Sequence, residues 1–148
     1  MSISSRFSIG IHILTLIETT KDEVASSEYI AGSVNANPAM IRKIMGMLKK
    51  SGLIDVRPGV AGARLAKDLT EITLLDIYKA VNAVKDDTLF NMHDNPNPNC
   101  EVGRNIQATI EPIFYMAQHA LEQVFANVTI DTIIDDVQAR EAARTSTE

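Results

Sequence analysis

Between Pro38 and Lys67 this 148-residue chain carries seven basic side chains, Arg42, Lys43, Lys49, Lys50, Arg57, Arg64 and Lys67, against one acid, Asp55. Clustered ammonium and guanidinium groups neutralise phosphate, and arginine and lysine also donate to guanine O6 and N7. The spacing of the first four is informative. Ile41, Ile44, Met45 and Leu48 fall on one stripe at helical period, and the basic residues stay outside it. A helix built this way has an apolar inside and a cationic outside. Its first residues, Asn37, Ala39, Met40, Arg42 and Lys43, are the ones placed to meet base edges, with Ala39 or Met40 against a thymine methyl. Lys49 and Lys50 at its far end suit phosphate contacts that position without specifying.

The overall net charge of −5 hides this patch. Residues 1–67 hold nine bases and five acids, whereas residues 68–148 hold five bases and fourteen acids. One end of the molecule is therefore fit to meet phosphate and the other is repelled by it.

Other chemistry is sparse. Cys100 is the single cysteine, so no intramolecular disulfide forms, which suits a reducing cytoplasm. It follows an Asn/Pro-rich stretch and opens a helix, with Asn99 expected as the cap. A thiol in a first turn feels the positive end of the helix dipole, while Glu101 beside it acts the other way. Two readings stay open: a thiol that senses oxidants, and a small passive residue. His93 lies seven residues earlier, close enough in sequence to raise cysteine–histidine catalysis. A single histidine in an Asn/Pro loop is far more often passive. His12 and His119 fall within helices as packing or surface residues. No His/Cys/Asp/Glu group has metal-ligand spacing and no Gly-rich phosphate loop occurs, so neither an enzyme nor a bound cofactor is expected.

The elements that must position the basic helix are readable around it. Residues 4–20 have Phe7, Ile11, Leu14 and Ile17 at helical spacing, with Ser4 or Ser5 as cap. Residues 19–22 connect to a short helix over 27–34, capped by Ser26 or Ser27 and ended at Asn35, which tolerates a left-handed turn. Asn37 caps the basic helix, Pro38 occupies its first position and Gly52 stops it. Residues 53–57 and 63–65 then read as two short strands around the turn Pro58-Gly59-Val60-Ala61-Gly62. Two helices joined by a three-residue turn and followed by a hairpin make a winged helix-turn-helix over residues 24–67. Arg57 and Arg64 lie on its wing, within reach of the minor groove or phosphates.

Thr73 and Asp76 form a capping box for the next helix. Residues 85–99 are a loop. From about residue 99, Val102, Ile106, Ile110, Ile113, Phe114, Ala117, Leu121 and Val124 recur at helical spacing, with Pro112 expected to kink or split the helix. A short helix over 131–137 and a frayed tail, 138–148, complete the chain. The expected class is mainly α with a small β-hairpin. The expected division is 1–84 for the winged helix-turn-helix, 85–100 for the loop as a sensor segment, 101–137 for dimerisation helices and 138–148 for the tail.

Four segments together resemble the Rrf-type winged-helix regulators. Residues 40–54, MIRKIMGMLKKSGLI, resemble the family's recognition helix and its exit. Residues 59–65 are similar to its Gly-rich wing, residues 72–81 to the helix that follows, and residues 128–134 to a segment near its C-terminus. The resemblance implies a bacterial transcription regulator, usually a repressor. It also implies a homodimer joined by the long helix, at about 101–125, through Ile106, Ile110, Ile113, Phe114, Ala117 and Leu121, reading a palindromic operator in double-stranded DNA.

Two departures stand out. Cluster-binding members carry three cysteines before the long helix, and this chain has only Cys100. One thiolate per chain does not hold an iron–sulphur cluster, which takes about four ligands. Many members also have Arg or Lys directly before the first wing glycine, where Pro58 stands here, with Arg57 one place earlier.

Two other function classes remain. One is a winged-helix module that binds protein and not an operator; the other is a regulator answering a small ligand without thiol chemistry. No apolar run reaches the roughly 18 residues that span a bilayer, and no secretory signal is read, so no membrane partner is expected.

Overall fold

The computed structural model describes residues 3–20, 24–59 and 61–147, which form six α-helices and one small hairpin. In order these are α1 (Arg6–Thr19), α2 (Ser27–Val34), α3 (Pro38–Lys50), β1 (Ile54–Asp55), β2 (Arg64–Leu65), α4 (Leu74–Ala80), α5 (Glu101–Ala126) and α6 (Ile130–Thr145). Lys21 and Asp22 of the expected connector and Val60 of the wing turn lie outside the described residues. No helix among the described residues is long and apolar enough to cross a membrane.

Helices α1 to α4 share one core. Ile13 and Leu14 of α1, Ile30 of α2, Ile41, Ile44 and Leu48 of α3, and Ile77 of α4 are fully buried. Gly10 lets α1 and α4 meet: a Cβ there would stand 2.9 Å from the Ile77 Cγ2. Arg6 ties the same two helices, its Nε donating to the Val81 carbonyl at 2.9 Å and its Nη2 to that of Asn82 at 2.7 Å. A guanidinium at the C-terminal end of α4 also meets the negative end of that helix dipole. The capping box at the other end of α4 forms, with Thr73 Oγ1 accepting from the Asp76 N–H at 3.1 Å and Asp76 Oδ2 from the Thr73 N–H at 3.0 Å.

The chain returns to this core through α6. The Leu74 N–H donates to the Val128 carbonyl and the Ile130 N–H to that of Ile72, both at 2.9 Å. Ile130 and Ile134 are buried there. The C-terminal part of α5 packs through Phe125, whose ring lies 4.9 Å from Phe7 and 5.6 Å from Tyr78.

Several details differ from expectation. Helix α5 runs unbroken through Pro112. Pro112 and Ala108, four residues before it, are both exposed, so the carbonyl that loses its amide partner lies on the solvent side of the helix, where the missing bond costs least. Helix α6 continues to Thr145, past the bound at Val137, so most of the tail expected to fray is helical. Ala139, Ala142 and Ala143 favour helix, and Arg140 pairs with Asp136 one turn back at 2.6 Å. The strands are only two residues each, paired Ile54 with Leu65 and Asp55 with Arg64. Ser5 holds the N-cap position of α1 without a side-chain bond, and the Ser4 hydroxyl accepts from the Arg6 N–H instead.

Candidate nucleic-acid interface

Three residues, Asn35, Ala36 and Asn37, join α2 to α3. The Ser26 hydroxyl caps α2 by accepting from the Tyr29 N–H at 3.1 Å. Asn35 turns the chain with φ of 61°, in the left-handed region. Asn37 Oδ1 accepts from the Ala39 N–H at 2.7 Å, and Pro38 opens α3. The cap uses the Asn37 carbonyl oxygen, leaving its amide N–H groups to donate outward.

Helix α3 buries Ile41, Ile44 and Leu48. Its opposite face carries Ala39, Arg42, Lys43, Gly46, Lys49 and Lys50, all exposed. These recur at three- and four-residue steps and so form one stripe. The stripe is basic at its edges and small along its middle: a Cβ on Gly46 would meet nothing within 4 Å. Met40 stands to one side, 47% exposed. The nine residues expected to face nucleic acid are thus all at the surface except Asn37's bonded oxygen, and the α3 set shares one element.

The wing is tied to the helix pair by its backbone. The Ala63 N–H donates to the Ala25 carbonyl at 3.2 Å, and Gly62, at φ of 87°, allows the approach because a Cβ would sit 3.0 Å from the Ala25 nitrogen. Arg57 and Arg64 are both exposed on the hairpin. A groove of about 320 Å³ runs between α3 and the wing, with Ser26, Ser27, Arg42 and Lys49 on its walls.

Two acids inside this surface make ion pairs that the sequence reading did not anticipate. Glu28 Oε1 lies 3.5 Å from Arg42 Nη1, and its Oε2 accepts from the Ser27 hydroxyl at 3.1 Å. Asp55 Oδ2 accepts from Arg57 Nε at 3.2 Å. The period-2 alternation of a strand puts residues 55 and 57 on one face and was available as a signal. Nothing local links Glu28 to Arg42, fourteen positions apart on different helices.

The remaining expected residues sit elsewhere. Cys100 is exposed and occupies the N-cap of α5, so it precedes the first turn instead of lying within it; Asn99 donates its N–H to Asn97 Oδ1 in the turn before. Gln118 of α5 holds the loop by accepting from the Leu89 N–H at 3.0 Å and donating to the Asp87 carbonyl at 2.6 Å. Gln107 donates to the His93 carbonyl at 2.9 Å, and Phe90 stacks on Phe114 at 5.0 Å. Gly103 is required here, since any Cβ would overlap the Asn97 carbonyl. His12 Nε2 lies 2.9 Å from the Ser33 hydroxyl, and His119 stacks on Tyr115.

Helix α5 has no buried residue along Glu101–Ala126. Its apolar residues divide between two faces. Phe114 and Leu121 turn inward, to the loop and the core. Val102, Ile113, Met116 and Val124 are 54–65% exposed on an adjoining stripe that includes exposed Ala117, with half-buried Ile106 and Ile110 beside it.

A family profile described as Rrf2, iron-dependent transcriptional regulator, matches residues 3–136. The chain is 43% identical over 133 residues to YwnA of Bacillus subtilis, a protein provisionally named as an HTH-type transcriptional regulator, covering 90% of this chain and 97% of that one. A solved structure provisionally named as a DNA-binding protein is 38% identical and superposes with a TM-score of 0.71, covering 88% of this chain and 99% of the other. CymR, described as the global cysteine regulator of B. subtilis, shares the fold at a TM-score of 0.67 with 18% identity, over 91% of this chain and 97% of that one.

The iron in the family's description does not fit the donors of this chain. Its one cysteine falls short of a cluster's ligand set, and among the described residues no three His, Cys, Asp or Glu side chains come together as a metal site.

Proposed function

Because the chain belongs to the Rrf2 family of transcriptional regulators, and not to a family of enzymes, we propose that it binds double-stranded DNA sequence-specifically as a homodimeric repressor in the bacterial cytoplasm. The exposed stripe of α3 carries this reading. Arg42 and Lys43 stand where a recognition helix reads base edges, and Ala39 and Gly46 leave its backbone room to enter the major groove. Lys49 and Lys50 flank the stripe toward the phosphates, and Arg57 and Arg64 reach from the wing to the minor groove or phosphates.

The exposed apolar stripe of α5 supports the dimer. A 26-residue helix is about 39 Å long, and leaving so much of one apolar face uncovered is unfavourable for a monomer. Two α5 helices related by a two-fold axis would cover it and set two recognition helices on a palindromic site, about one DNA turn apart.

The input is oxidation of Cys100, whose thiol is exposed beside the loop that Gln107 and Gln118 fasten to α5. A small-molecule effector without thiol chemistry is the alternative. Selection of bound duplexes from random DNA, followed by binding assays at several salt concentrations, tests the main reading. A palindromic consensus with salt-dependent affinity is expected. Absence of any sequence preference refutes it in favour of a protein-binding module. Operator release by peroxide that persists in Cys100→Ser refutes the thiol input, and transcription unaffected by the bound protein refutes the repressor role.

A further inference from the structure

We infer that Glu28 and Asp55 are positioning residues that hold Arg42 and Arg57 for base recognition, so that specificity depends on acids placed inside a basic surface. This rests on the DNA-binding reading above. A carboxylate facing phosphate lowers affinity for every sequence, so Glu28 and Asp55 are costly where they stand unless they do something else. Stability is a poor explanation. Both pairs are exposed, Arg42 and Glu28 at 58% and 71%, Arg57 and Asp55 at 76% and 47%, and exposed pairs contribute little to folding.

Orientation is the better explanation. Glu28 is itself fixed: it stands in the first turn of α2, with one carboxylate oxygen on the Ser27 hydroxyl and the other on Arg42 Nη1. The backbone of Asp55 is held by its strand pairing with Arg64, which sets the carboxylate beside Arg57 Nε. Each acid takes one N–H direction of its arginine. Asp55 engages Nε of Arg57 and leaves the two Nη groups, while Glu28 engages Nη1 of Arg42 and leaves the Nη2 and Nε edge. The remaining N–H groups keep a planar fork, which for Arg42 fits guanine O6 and N7 in the major groove and for Arg57 on the wing meets the acceptors of the minor groove. An arginine held this way loses less freedom on binding a base, and it is drawn less strongly to a phosphate of any sequence. The acids therefore raise the ratio of specific to non-specific affinity instead of the affinity itself.

The test compares the selected operator with a scrambled duplex for the full-length wild type, Glu28→Gln, Arg42→Gln and the double variant. Glu28→Gln should tighten scrambled-duplex binding and lower the specificity ratio roughly tenfold, the lower part of the range for one base-reading fork. Glu28→Asp should restore part of the ratio. In the Arg42→Gln background, Glu28→Gln should lower the ratio no further. A uniform gain in affinity with an unchanged ratio overturns the inference, as does an equal loss of ratio with and without Arg42. A second readout needs no DNA: ¹⁵N relaxation of the Arg42 side chain should show greater mobility in Glu28→Gln than in the wild type, and unchanged mobility overturns the inference. Wild-type protein that fails to distinguish operator from scrambled duplex refutes the DNA-binding reading itself. Selective wild-type binding with an unchanged Glu28→Gln ratio refutes only the role of the acids.

Discussion

Ile113 gives the sharpest test of the dimer. It sits at the middle of α5, on the outer stripe, with 54% of its surface exposed. Fully burying an isoleucine contributes about 1.5–3 kcal/mol, so covering the exposed half contributes about 1 kcal/mol per copy, and a two-fold interface counts it twice. Ile113→Glu removes that contribution and adds like charges from both copies to an apolar seam, which costs about 3 kcal/mol more. The sum, about 5 kcal/mol, weakens dimerisation by three to four orders of magnitude at about 1.4 kcal/mol per decade. Sedimentation velocity across a wide concentration range should show a wild-type dimer and an Ile113→Glu monomer with the same helical circular dichroism. Tyr115→Ser is the control, because Tyr115 is 72% exposed yet points away from the stripe. A variant that dimerises like the wild type, or a control that is equally impaired, refutes the assignment of this face.

Three further substitutions separate stability from binding. Gly46→Leu should stabilise α3 by about 0.5–1 kcal/mol in urea unfolding, because its Cβ meets open space, yet weaken operator binding by crowding the groove; matched changes in both would refute the docking of that face. Asn37→Ala should lose about 1 kcal/mol with its cap, whereas Asn37→Asp should keep the cap and lose DNA affinity, and equal stability of the two variants would count against the capping role. Tyr78 is buried and its hydroxyl has no partner among the described residues; burial, then Glu122 and Asp87, raise its pKa above the ordinary value. A raised value makes the neutral form the one that suits the fold, so its contribution is intact below about pH 10 and is lost as pH rises through the folded value. Tyr78→Phe should therefore gain about 1 kcal/mol at neutral pH and lose less under alkali, and a clear destabilisation would reveal an unseen partner.

The helix-turn-helix was legible because its signals are local. Asn35, Asn37, Pro38 and Gly52 act within a turn of where they stand, so their side-chain chemistry names the element boundary directly. The long helix was legible as a helix but not as two surfaces. Phe114 and Ile113 are neighbours in sequence and equally apolar, yet one stacks on Phe90 and the other faces out. Periodicity measures how wide an apolar stripe is; it does not say how much of that stripe the chain itself covers. The end of α6 differs from expectation for a related reason. Polarity marks residues 138–145 as solvent-exposed, which they are, but exposure and disorder are separate properties when alanine and an i,i+4 ion pair favour helix.

Charge was the feature most easily misread, and the structure gives its average a meaning. The acidic residues of 68–148 lie beyond the wing, and the basic stripe of α3 lies within the first half of the chain. A charge division of this kind would orient the molecule as it approaches DNA. Steering of that sort needs no acid on the attracted face, and every acid there subtracts from it. Glu28 and Asp55 are therefore poorly explained by the long-range field and well explained by the arginines they touch. On the proposed reading, long-range charge would select which surface meets DNA, and the short-range pairs at 3.5 and 3.2 Å would aim its arginines once there.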